Sequence, residues 1–244
     1  MNILLVDAGN TRVKWALADL AAPPGAWITN GAVLHAGLAT LADVWRGLDA
    51  VSALVSNVAG ADMGARLATL LAPLPVTWFA SMPALAGITN GYRNPLQLGC
   101  DRFAAAIGAR AFDPGQALVI ATCGTATTID AVSRDGVFIG GMILPGLALM
   151  AASLAKNTAQ LPQVQPGTRL PTLFADDTND AIVSGCINAQ AGAIERAVAA
   201  HGARRCIVSG GAAGYIAPAL AIDYIVRENL VLAGLHAAAG ELSC

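Results

Sequence analysis

A strand, a glycine turn and a second strand occur twice in this chain, and this repetition is what most restricts its fold. In the first copy, the apolar run Ile3 to Val6 leads to the turn residues Gly9-Asn10, and apolar and polar residues then alternate from Val13 to Leu17. In the second copy, a run that begins at Leu118 leads to Gly124 in the same way. Alternation around a glycine turn is typical of a β-hairpin, so the sequence predicts two related hairpins.

Each predicted hairpin is followed by a third strand and then by further helices and strands. In the first half these are Trp27 to Leu34, Ala53 to Val58, Ala61 to Leu71 and Val76 to Phe79, and in the second half Phe138 to Ile143, Ala181 to His201, Cys206 to Ser209 and Tyr224 to Val226. The breaker triplet Asp113-Pro114-Gly115 separates the halves, so we expect two α/β domains, residues 1–114 and 115–244. A duplicated pair of this kind predicts a cleft between the halves, which is the usual place for a nucleotide.

The first turn carries residue types that are suited to binding phosphate. The turn amides and the hydroxyl of Thr11 can donate hydrogen bonds to phosphate oxygens, and Asp7 can hold a hydrated Mg²⁺. Lys14 lies on the same strand face as Arg12 and adds a positive charge, and it is one of only two lysines in the chain. The segment alone leaves open the alternative of an ordinary glycine turn that closes a hairpin.

A second candidate site lies where a helix is predicted to begin. The run Gly99-Cys100-Asp101-Arg102 precedes the helix-forming segment Phe103 to Phe112, which Asp113-Pro114 ends. The helix dipole favours an ionised Asp101 in the first turn, and Arg102 can form a bidentate pair with a substrate carboxylate. From these residues alone, Asp101 could instead be a helix N-cap and Arg102 a surface charge.

Composition argues against several classes of function. The net charge of −2 provides no basic surface for nucleic acid, and no run of about 18 apolar residues is free of polar or breaking residues, so we expect neither nucleic-acid nor membrane binding. The most apolar stretch, Gly140 to Ala155, contains Pro145-Gly146 and is interpreted as a buried strand followed by a core helix, with Lys156 in a core-facing region.

The N-terminus has no basic region and carries Asp7 early, which predicts a cytoplasmic protein. Because only 12% of the residues are charged and alanines are many, we expect a homo-oligomer.

The five cysteines are odd in number and widely spread, and no C-x-x-C pair occurs. They are Cys100, Cys123, Cys186, Cys206 and Cys244. We therefore expect reduced thiols, and the three scattered histidines give no zinc-ligand spacing. The segment Pro162 to Pro171 has three prolines and is interpreted as an exposed loop.

Four motifs, in this order and spacing, resemble those of the type III pantothenate kinases, also called the Bvg accessory factor family. They are Asp7-Ala8-Gly9-Asn10-Thr11-Arg12-Val13-Lys14, Gly99-Cys100-Asp101-Arg102, Gly124-Thr125-Ala126-Thr127-Thr128-Ile129-Asp130, and Gly140-Gly141 with Pro145-Gly146. The resemblance spans nearly the whole chain. It implies a duplicated actin-like ATPase (ribonuclease H-like) α/β fold with ATP in the cleft between the two domains. It also implies that ATP phosphorylates pantothenate to 4′-phosphopantothenate, the first committed step toward coenzyme A.

The resemblance further implies roles for individual residues. ATP phosphates and Mg²⁺ are held by Asp7, Ala8, Gly9, Asn10, Thr11, Arg12, Val13 and Lys14, with Asp7 as the metal ligand. The nucleotide is also contacted by Thr125, Gly210 and Gly211. The general base is Asp101, which removes the proton of the primary hydroxyl of pantothenate. Substrate is bound by Tyr92, Gly99, Cys100, Asp101, Arg102 and Thr178, the last across the interface of a homodimer.

Two positions keep alternatives open. Thr178 could simply cap the helix that is predicted to start near Asp180. Family members commonly carry an aspartate that binds an activating K⁺ or NH₄⁺ two residues before the second turn glycine, where this chain has Thr122. We therefore expect weakened or altered cation activation.

The resemblance and the motifs leave two other functions to be weighed. One is a kinase or phosphatase of the same superfamily that acts on another small hydroxylated metabolite, because phosphate loops do not select the acceptor. The other is a regulatory protein that binds ATP without turning it over. A base next to the substrate site, as predicted for Asp101, favours an enzyme over a binding module.

Overall fold

The computed structural model describes residues 1–165, 167 and 170–242, which form an α/β chain. Its strands are β1 Asn2–Ala8, β2 Arg12–Asp19, β3 Thr29–Leu34, β4 Ser52–Asn57, β5 Val76–Trp78, β6 Ala84–Leu85, β7 Ile88–Asn90, β8 Leu118–Cys123, β9 Ala126–Val132, β10 Val137–Pro145, β11 Cys206–Ser209 and β12 Tyr224–Val226. Its α-helices are α1 Leu41–Arg46, α2 Ala61–Leu71, α3 Cys100–Phe112, α4 Leu147–Asn157, α5 Thr178–His201, α6 Ala213–Ile216 and α7 Leu230–Leu242.

The chain forms two compact units. The first contains residues 1–115, 135–139 and 229–244, and the second contains residues 116–134 and 140–228. The first break follows the predicted breaker triplet Asp113-Pro114-Gly115, whereas residues 135–139 and 229–244 join the first unit although they lie in the second half of the sequence. Residues 229–244 join the first unit because α7 packs on α3, which belongs to that unit.

Helices α3 and α7 pack closely because both carry glycine at their contact. A Cβ atom on Gly234 would overlap the carbonyl oxygen of Ala104, and one on Gly108 would overlap that of Leu230. At these two glycines, the backbone of one helix therefore packs directly on the backbone of the other. The apolar residues of α7, including Leu232 and Leu235, are almost fully buried in this way.

The first unit is built on a sheet with strand order β3-β2-β1-β4-β5. Strand β1 pairs antiparallel with β2 and parallel with β4. Leu4 and Val6 of β1 pack in a core with Trp45 of α1 and Leu67 of α2. Because side chains alternate along a strand, Asp7 lies on the opposite face of the sheet.

The second unit repeats this arrangement, with strand order β12-β11-β8-β9-β10. Strand β8 pairs antiparallel with β9 and parallel with β11, as β1 does with β2 and β4. Val119, Ala121 and Cys123 of β8 pack in a core with Ile194 of α5 and Ile216 of α6. Both predicted hairpins therefore form, and each continues into a sheet of the same order.

Local periodicity located several elements to the residue, including α2 and β12, but three expectations are wrong. Trp27 precedes β3, which begins at Thr29, and its ring lies 5.8 Å from that of His236. Strand β10 is largely exposed instead of buried, and α4 buries only Leu147 and Ala151. Lys156 is exposed on α4 instead of facing the core.

The remaining expectations concern single residues and segments. Among the described residues, no helix is both long and apolar enough to cross a membrane. The four described cysteines form no disulfide, and burial raises the pKa of Cys123 and of Cys206 to about 12. Cys244 lies outside the described residues. The predicted loop from Pro162 to Pro171 contains no helix or strand where it is described, although Val164 is buried.

Candidate active site

A row of polar side chains crosses the sheet of the first unit at the hairpin turn. In the ladder, Asp7 of β1 is paired with Lys14 of β2 on one side and with Ser56 of β4 on the other. Paired residues on neighbouring strands project to the same face of a sheet. The three side chains therefore share the face on which α3 and α7 pack.

The Asp7 carboxyl has an unusual protonation equilibrium. Its pKa is raised to about 7, chiefly by burial and secondarily by the nearby Asp101 carboxylate, while the Lys14 ammonium opposes the shift. A carboxylate that burial and a like charge both disfavour is stabilised by a bound cation. Among the described residues, no group of three His, Cys, Asp or Glu side chains could enclose a metal. Asp7 and Asp101 therefore fit an ion such as Mg²⁺, which takes one or two carboxylates and fills its other positions with phosphate and water.

Asp101 lies in the first turn of α3 and does not cap the helix. The N-cap position is Gly99, with no side-chain cap, and Asp101 Oδ1 accepts a 2.8 Å hydrogen bond from the Arg102 amide. A Cβ atom on Gly99 would lie only 2.7 Å from Asp101 Oδ1, so glycine at position 99 leaves room for the carboxylate. Burial raises the pKa of Asp101, against the effect of the Arg102 amide and guanidinium. The N-cap alternative is wrong.

Cys100 connects the start of α3 to strand β4. Its Sγ lies 3.4 Å from Ser56 Oγ and 3.8 Å from the carbonyl oxygen of Asn57. Burial raises the pKa of the Cys100 thiol, which keeps it protonated and suited to hydrogen bonding instead of nucleophilic attack. Through this contact, the residue before Asp101 is held against the strand that is paired with Asp7.

Arg102 is buried, with 7% of its surface exposed, so the surface-charge alternative is wrong. Its guanidinium carbon lies 5.6 Å from the centre of the Tyr92 ring and 5.7 Å from that of Phe138, and Nη1 donates a 2.7 Å hydrogen bond to the Tyr92 hydroxyl. Such cation–π contacts hold a guanidinium in place. The structure thus brings the predicted substrate residues Tyr92 and Arg102 together at the start of α3.

The first turn is wider than the sequence pattern predicts. Three residues, Gly9 to Thr11, lie between the end of β1 and the start of β2, and neither Gly9 nor Asn10 has a positive φ angle. The Gly9 amide donates to the carbonyl oxygen of Arg12 at 3.2 Å, and His35 Nε2 lies 2.8 Å from the carbonyl oxygen of Gly9. Since a carbonyl only accepts, the His35 ring donates this bond.

The second turn is held by close backbone contacts within its unit. Thr125 lies between the paired ends of β8 and β9, and the Gly146 amide donates a 2.9 Å hydrogen bond to the Thr125 carbonyl oxygen. A Cβ atom on Gly146 would overlap the carbonyl oxygens of Gly124 and Thr125. The motif residue Gly146 is therefore required for the fit of this turn.

Gly210 and Gly211 follow β11 and differ from each other. Gly210 has a φ of +95°, and a Cβ atom on it would overlap the carbonyl oxygen of Cys123. Gly211 has open space at the Cβ position. The fold therefore explains the glycine at position 210, whereas the glycine at position 211 has no packing explanation.

The residues at and beside position 122 form a neutral row across the sheet of the second unit. Thr122 is paired with Thr128 on β9 and with Ser209 on β11, and its Oγ1 is buried without a hydrogen-bond partner. A hydroxyl can contribute one neutral oxygen to a K⁺ ion but no charge. The residues at this position do not fit a site of the kind that an aspartate forms.

Thr178 lies at the exposed start of α5 in the second unit. The N-cap of α5 is Asp177, whose carboxylate accepts hydrogen bonds from the amides of Asn179 and Asp180 at 2.9 and 3.0 Å. The helix-capping alternative for Thr178 is therefore wrong.

Four residues that contact the predicted site residues were missed in the sequence. They are His35, Ser56, Phe138 and Gln190. Each is distant in sequence from the motif that it contacts, and no local pattern distinguishes it from a surface or core residue. Ser56 alone could have been found, because it is paired with Asp7 in the ladder of β1 and β4. This requires knowing that β4 lies next to β1 in the sheet.

Comparisons with known proteins identify the family of the chain. Residues 3–200 match the family model described as type III pantothenate kinase. The chain is 56% identical to the type III pantothenate kinase of Janthinobacterium sp. (strain Marseille) and 55% identical to that of Herminiimonas arsenicoxydans, in each case over 97% of both chains.

Solved structures agree at the level of the fold. A Baf family protein from Campylobacter jejuni matches with a TM-score of 0.65, 20% identity and 98% of each chain covered. The activator of 2-hydroxyisocaproyl-CoA dehydratase from Clostridium difficile, with bound ADPNP, matches with a TM-score of 0.58 and 14% identity, over 98% of this chain and 93% of that one. The fold is that of the actin-like ATPases and their kinases.

Proposed function

The chain belongs to the type III pantothenate kinase family, which transfers a phosphoryl group from ATP to pantothenate, and on that premise we propose how its own residues carry the reaction. The observation that supports the assignment best is the electrostatic interaction of Asp101 with Asp7 in the first unit, where burial raises the pKa of each carboxyl. One carboxyl group belongs to the hairpin that would hold phosphates, and the other begins the helix that would hold the acceptor. A kinase needs both functions at one place.

Asp101 is the general base of this proposal. Its carboxylate accepts the proton of the primary hydroxyl of pantothenate while the hydroxyl oxygen forms a bond to the γ-phosphorus, and the bond from that phosphorus to the bridging oxygen breaks toward ADP. A raised pKa favours this role, because a base with a pKa closer to the working pH holds the proton better. The hydrogen bond from the Arg102 amide fixes the orientation of the carboxylate.

The first hairpin binds the triphosphate. The turn amide of Asn10 and the hydroxyl of Thr11 donate to phosphate oxygens, and the Lys14 ammonium and the Arg12 guanidinium balance the negative charge. Asp7 would hold Mg²⁺, which neutralises phosphate charge when it is bound. Ala8 and Val13 complete the hairpin as the last ladder pair before the turn.

Pantothenate is bound at the start of α3. Arg102, held by Tyr92 and Phe138, recognises the carboxylate of the substrate, while Gly99 and Cys100 leave space beside Asp101. Placing the anion next to a rigid guanidinium orients the hydroxyl at the other end of the molecule. This arrangement favours pantothenate over uncharged acceptors, because a sugar has no carboxylate for Arg102.

The second unit contributes Thr125 to the phosphates and Gly210 and Gly211 to the adenosine of the nucleotide. Thr122 replaces the usual carboxylate, so we propose that K⁺ and NH₄⁺ activate this enzyme weakly or not at all. Because ATP is the phosphoryl donor, we propose that the enzyme works in the cytoplasm.

We also propose a homodimer, in which Thr178 reaches the substrate of the partner subunit. The exposed large apolar side chains of the second unit are concentrated on β10, on α4 and just before α5. On these elements they are Met142, Ile143, Leu149, Leu154, Leu173 and Phe174, with Phe174 91% exposed, and Tyr224 and Val226 of β12 are exposed as well. Exposed apolar groups near Thr178 in the sequence support a protein surface as their partner.

The test is pantothenate-dependent ADP formation by Asp101→Asn, which we expect to fall by about 10² to 10⁴ with a KM for ATP close to that of the parent. The matched control is Asp62→Asn, because Asp62 also occupies the second position of a helix, α2, but is exposed. We expect this control to keep full activity. Turnover in folded Asp101→Asn equal to that of the parent would contradict the proposed base.

A further inference from the structure

Gln190, in the middle of α5, makes the most extensive buried side-chain contacts that the proposed mechanism does not use. It is fully buried, and its amide joins three elements of the second unit. Gln190 Oε1 lies 2.7 Å from Thr127 Oγ1, and Nε2 lies 3.2 Å from the carbonyl oxygen of Pro145 and 3.4 Å from Met150 Sδ.

The chemistry of the partners fixes the direction of these bonds. The carbonyl of Pro145 can only accept, so the amide nitrogen of Gln190 must face it. The amide oxygen then faces Thr127, whose hydroxyl must be the donor. The amide is therefore used on both sides, and no other residue type of similar size offers a donor and an acceptor in this arrangement.

Both partners of Gln190 adjoin the turn that carries Thr125. Thr127 is two residues after Thr125 and is the ladder partner of Cys123, where the turn closes. Pro145 precedes Gly146, whose amide donates to the Thr125 carbonyl oxygen at 2.9 Å. Gln190 thus holds the β9 side of the turn and the β10–α4 connection that packs on it.

We propose that Gln190 is a positioning residue for nucleotide binding, which sets the conformation of the Gly124–Thr125 turn without touching ATP. This inference rests on the proposed contact between Thr125 and the nucleotide. Loss of the amide frees the turn from α5, so the turn must be ordered again each time that ATP binds. The acceptor site at the start of α3 belongs to the first unit.

The experiment compares Gln190→Met and Thr127→Val with the parent. Each variant removes the Thr127 hydrogen bond while nearly preserving side-chain shape, and Asn188→Leu is the matched control, because the Asn188 amide bonds only within α5, to Ser184. We expect the KM for ATP, and the Kd for Mg-ATP measured by calorimetry, to rise about five- to tenfold in both variants, which is the effect of one lost hydrogen bond. The KM for pantothenate stays within about twofold of the parent value, and the control leaves both constants unchanged.

A double variant should bind ATP no more weakly than Gln190→Met alone, because the Thr127 bond is then already absent. A lower melting temperature with unchanged ATP affinity would show a structural role only and overturn the proposal, as would an equal rise of both KM values. If Gln190→Met does not fold, Thr127→Val decides by the same criteria. If the parent binds ATP but shows no turnover with pantothenate, the proposed function fails, while the Kd comparison still decides the role of Gln190.

Discussion

The two hairpins share one architecture and differ in charge. In the first, the row across the sheet is Lys14, Asp7 and Ser56, and in the second the residues at the same ladder positions are Thr128, Thr122 and Ser209. The charged row includes a carboxyl whose pKa is raised to about 7, whereas the neutral row contains only hydroxyl groups.

The means of support differ as well. The turn of the first hairpin is wide and is held by one histidine from outside, whereas the second is packed against glycines and tied to Gln190. A site that changes charge during a reaction needs polar groups and room for ligands, while a site that orients a nucleotide needs a fixed backbone. We infer from this comparison that the first hairpin provides charged groups for the reaction and that the second provides a fixed backbone for the nucleotide.

The largest expected effect comes from removing the charge of the first row. We expect Asp7→Asn to lower pantothenate-dependent ADP formation by about 10³-fold, because an amide does not replace a carboxylate near the phosphates and the metal. Steady-state assays at saturating ATP measure it. Near-parental turnover would mean that the charged row of Lys14, Asp7 and Ser56 does not take part in catalysis.

The same variant should be more stable than the parent above pH 7. The pKa of Asp7 is about 7 in the folded protein against an ordinary value of 3.8 for an aspartate, so ionisation disfavours the folded state. This cost is absent below pH 3.8, grows up to pH 7 and is complete above it. We expect Asp7→Asn to gain about 2 to 4 kcal/mol at pH 8 and progressively less toward pH 4, as measured by urea unfolding. A gain that does not change with pH would contradict the raised pKa.

The two lysines of the chain give the next test. Lys14→Met removes the positive charge of the first row and should lower kcat/KM by about 10²-fold. Lys156→Met changes an exposed residue of α4. It should leave kcat/KM close to that of the parent and the free energy of unfolding within about 0.5 kcal/mol of it. Equal activity of the folded variants would remove Lys14 from the proposed site.

For the second hairpin, we expect substitutions to lower the stability of the protein more than its catalytic activity. Gly210→Ala should cost about 2 to 4 kcal/mol, because alanine is strained at a φ of +95° and its methyl group would overlap the Cys123 carbonyl oxygen. Gly211→Ala has space for the methyl group and should change stability by less than about 1 kcal/mol. Calorimetric melting measures both. If Gly211→Ala raises the KM for ATP without lowering stability, the adenosine role of this residue gains support.

The smallest effect comes from adding charge to the neutral row. Thr122→Asp places a carboxylate where a hydroxyl is buried without a partner, so it should lower stability by about 1 to 2 kcal/mol in a buffer free of K⁺. Added K⁺ should restore part of this loss in Thr122→Asp, but not in the parent or in the neutral control Thr122→Asn. Strong, saturable activation of the parent by K⁺ would contradict the expected effect of Thr122.

Much of the fold could be predicted because it depends on neighbours in the sequence. The limits of α2 and β12 and both hairpins follow from alternation, helical periodicity and turn residues, all of which act within a few positions. Apart from the start of β3, the expectations that failed concern exposure. Strand β10 and Lys156 were expected inside because their neighbours are apolar, and local hydropathy does not tell which apolar face is covered.

By itself, the sequence determined both hairpins, most of the strands and helices, and the family. The motifs also named Asp7, Lys14, Asp101 and Arg102 as candidates. Only the tertiary structure decided that the charge of Asp101 acts on Asp7, that Arg102 is buried against the rings of Tyr92 and Phe138, and that Gln190 bonds to Thr127, 63 positions away and next to the second turn. The physical reason is that pKa values and buried contacts arise between residues remote in sequence, whose distances are set by the register of the strands and the packing of helices on them.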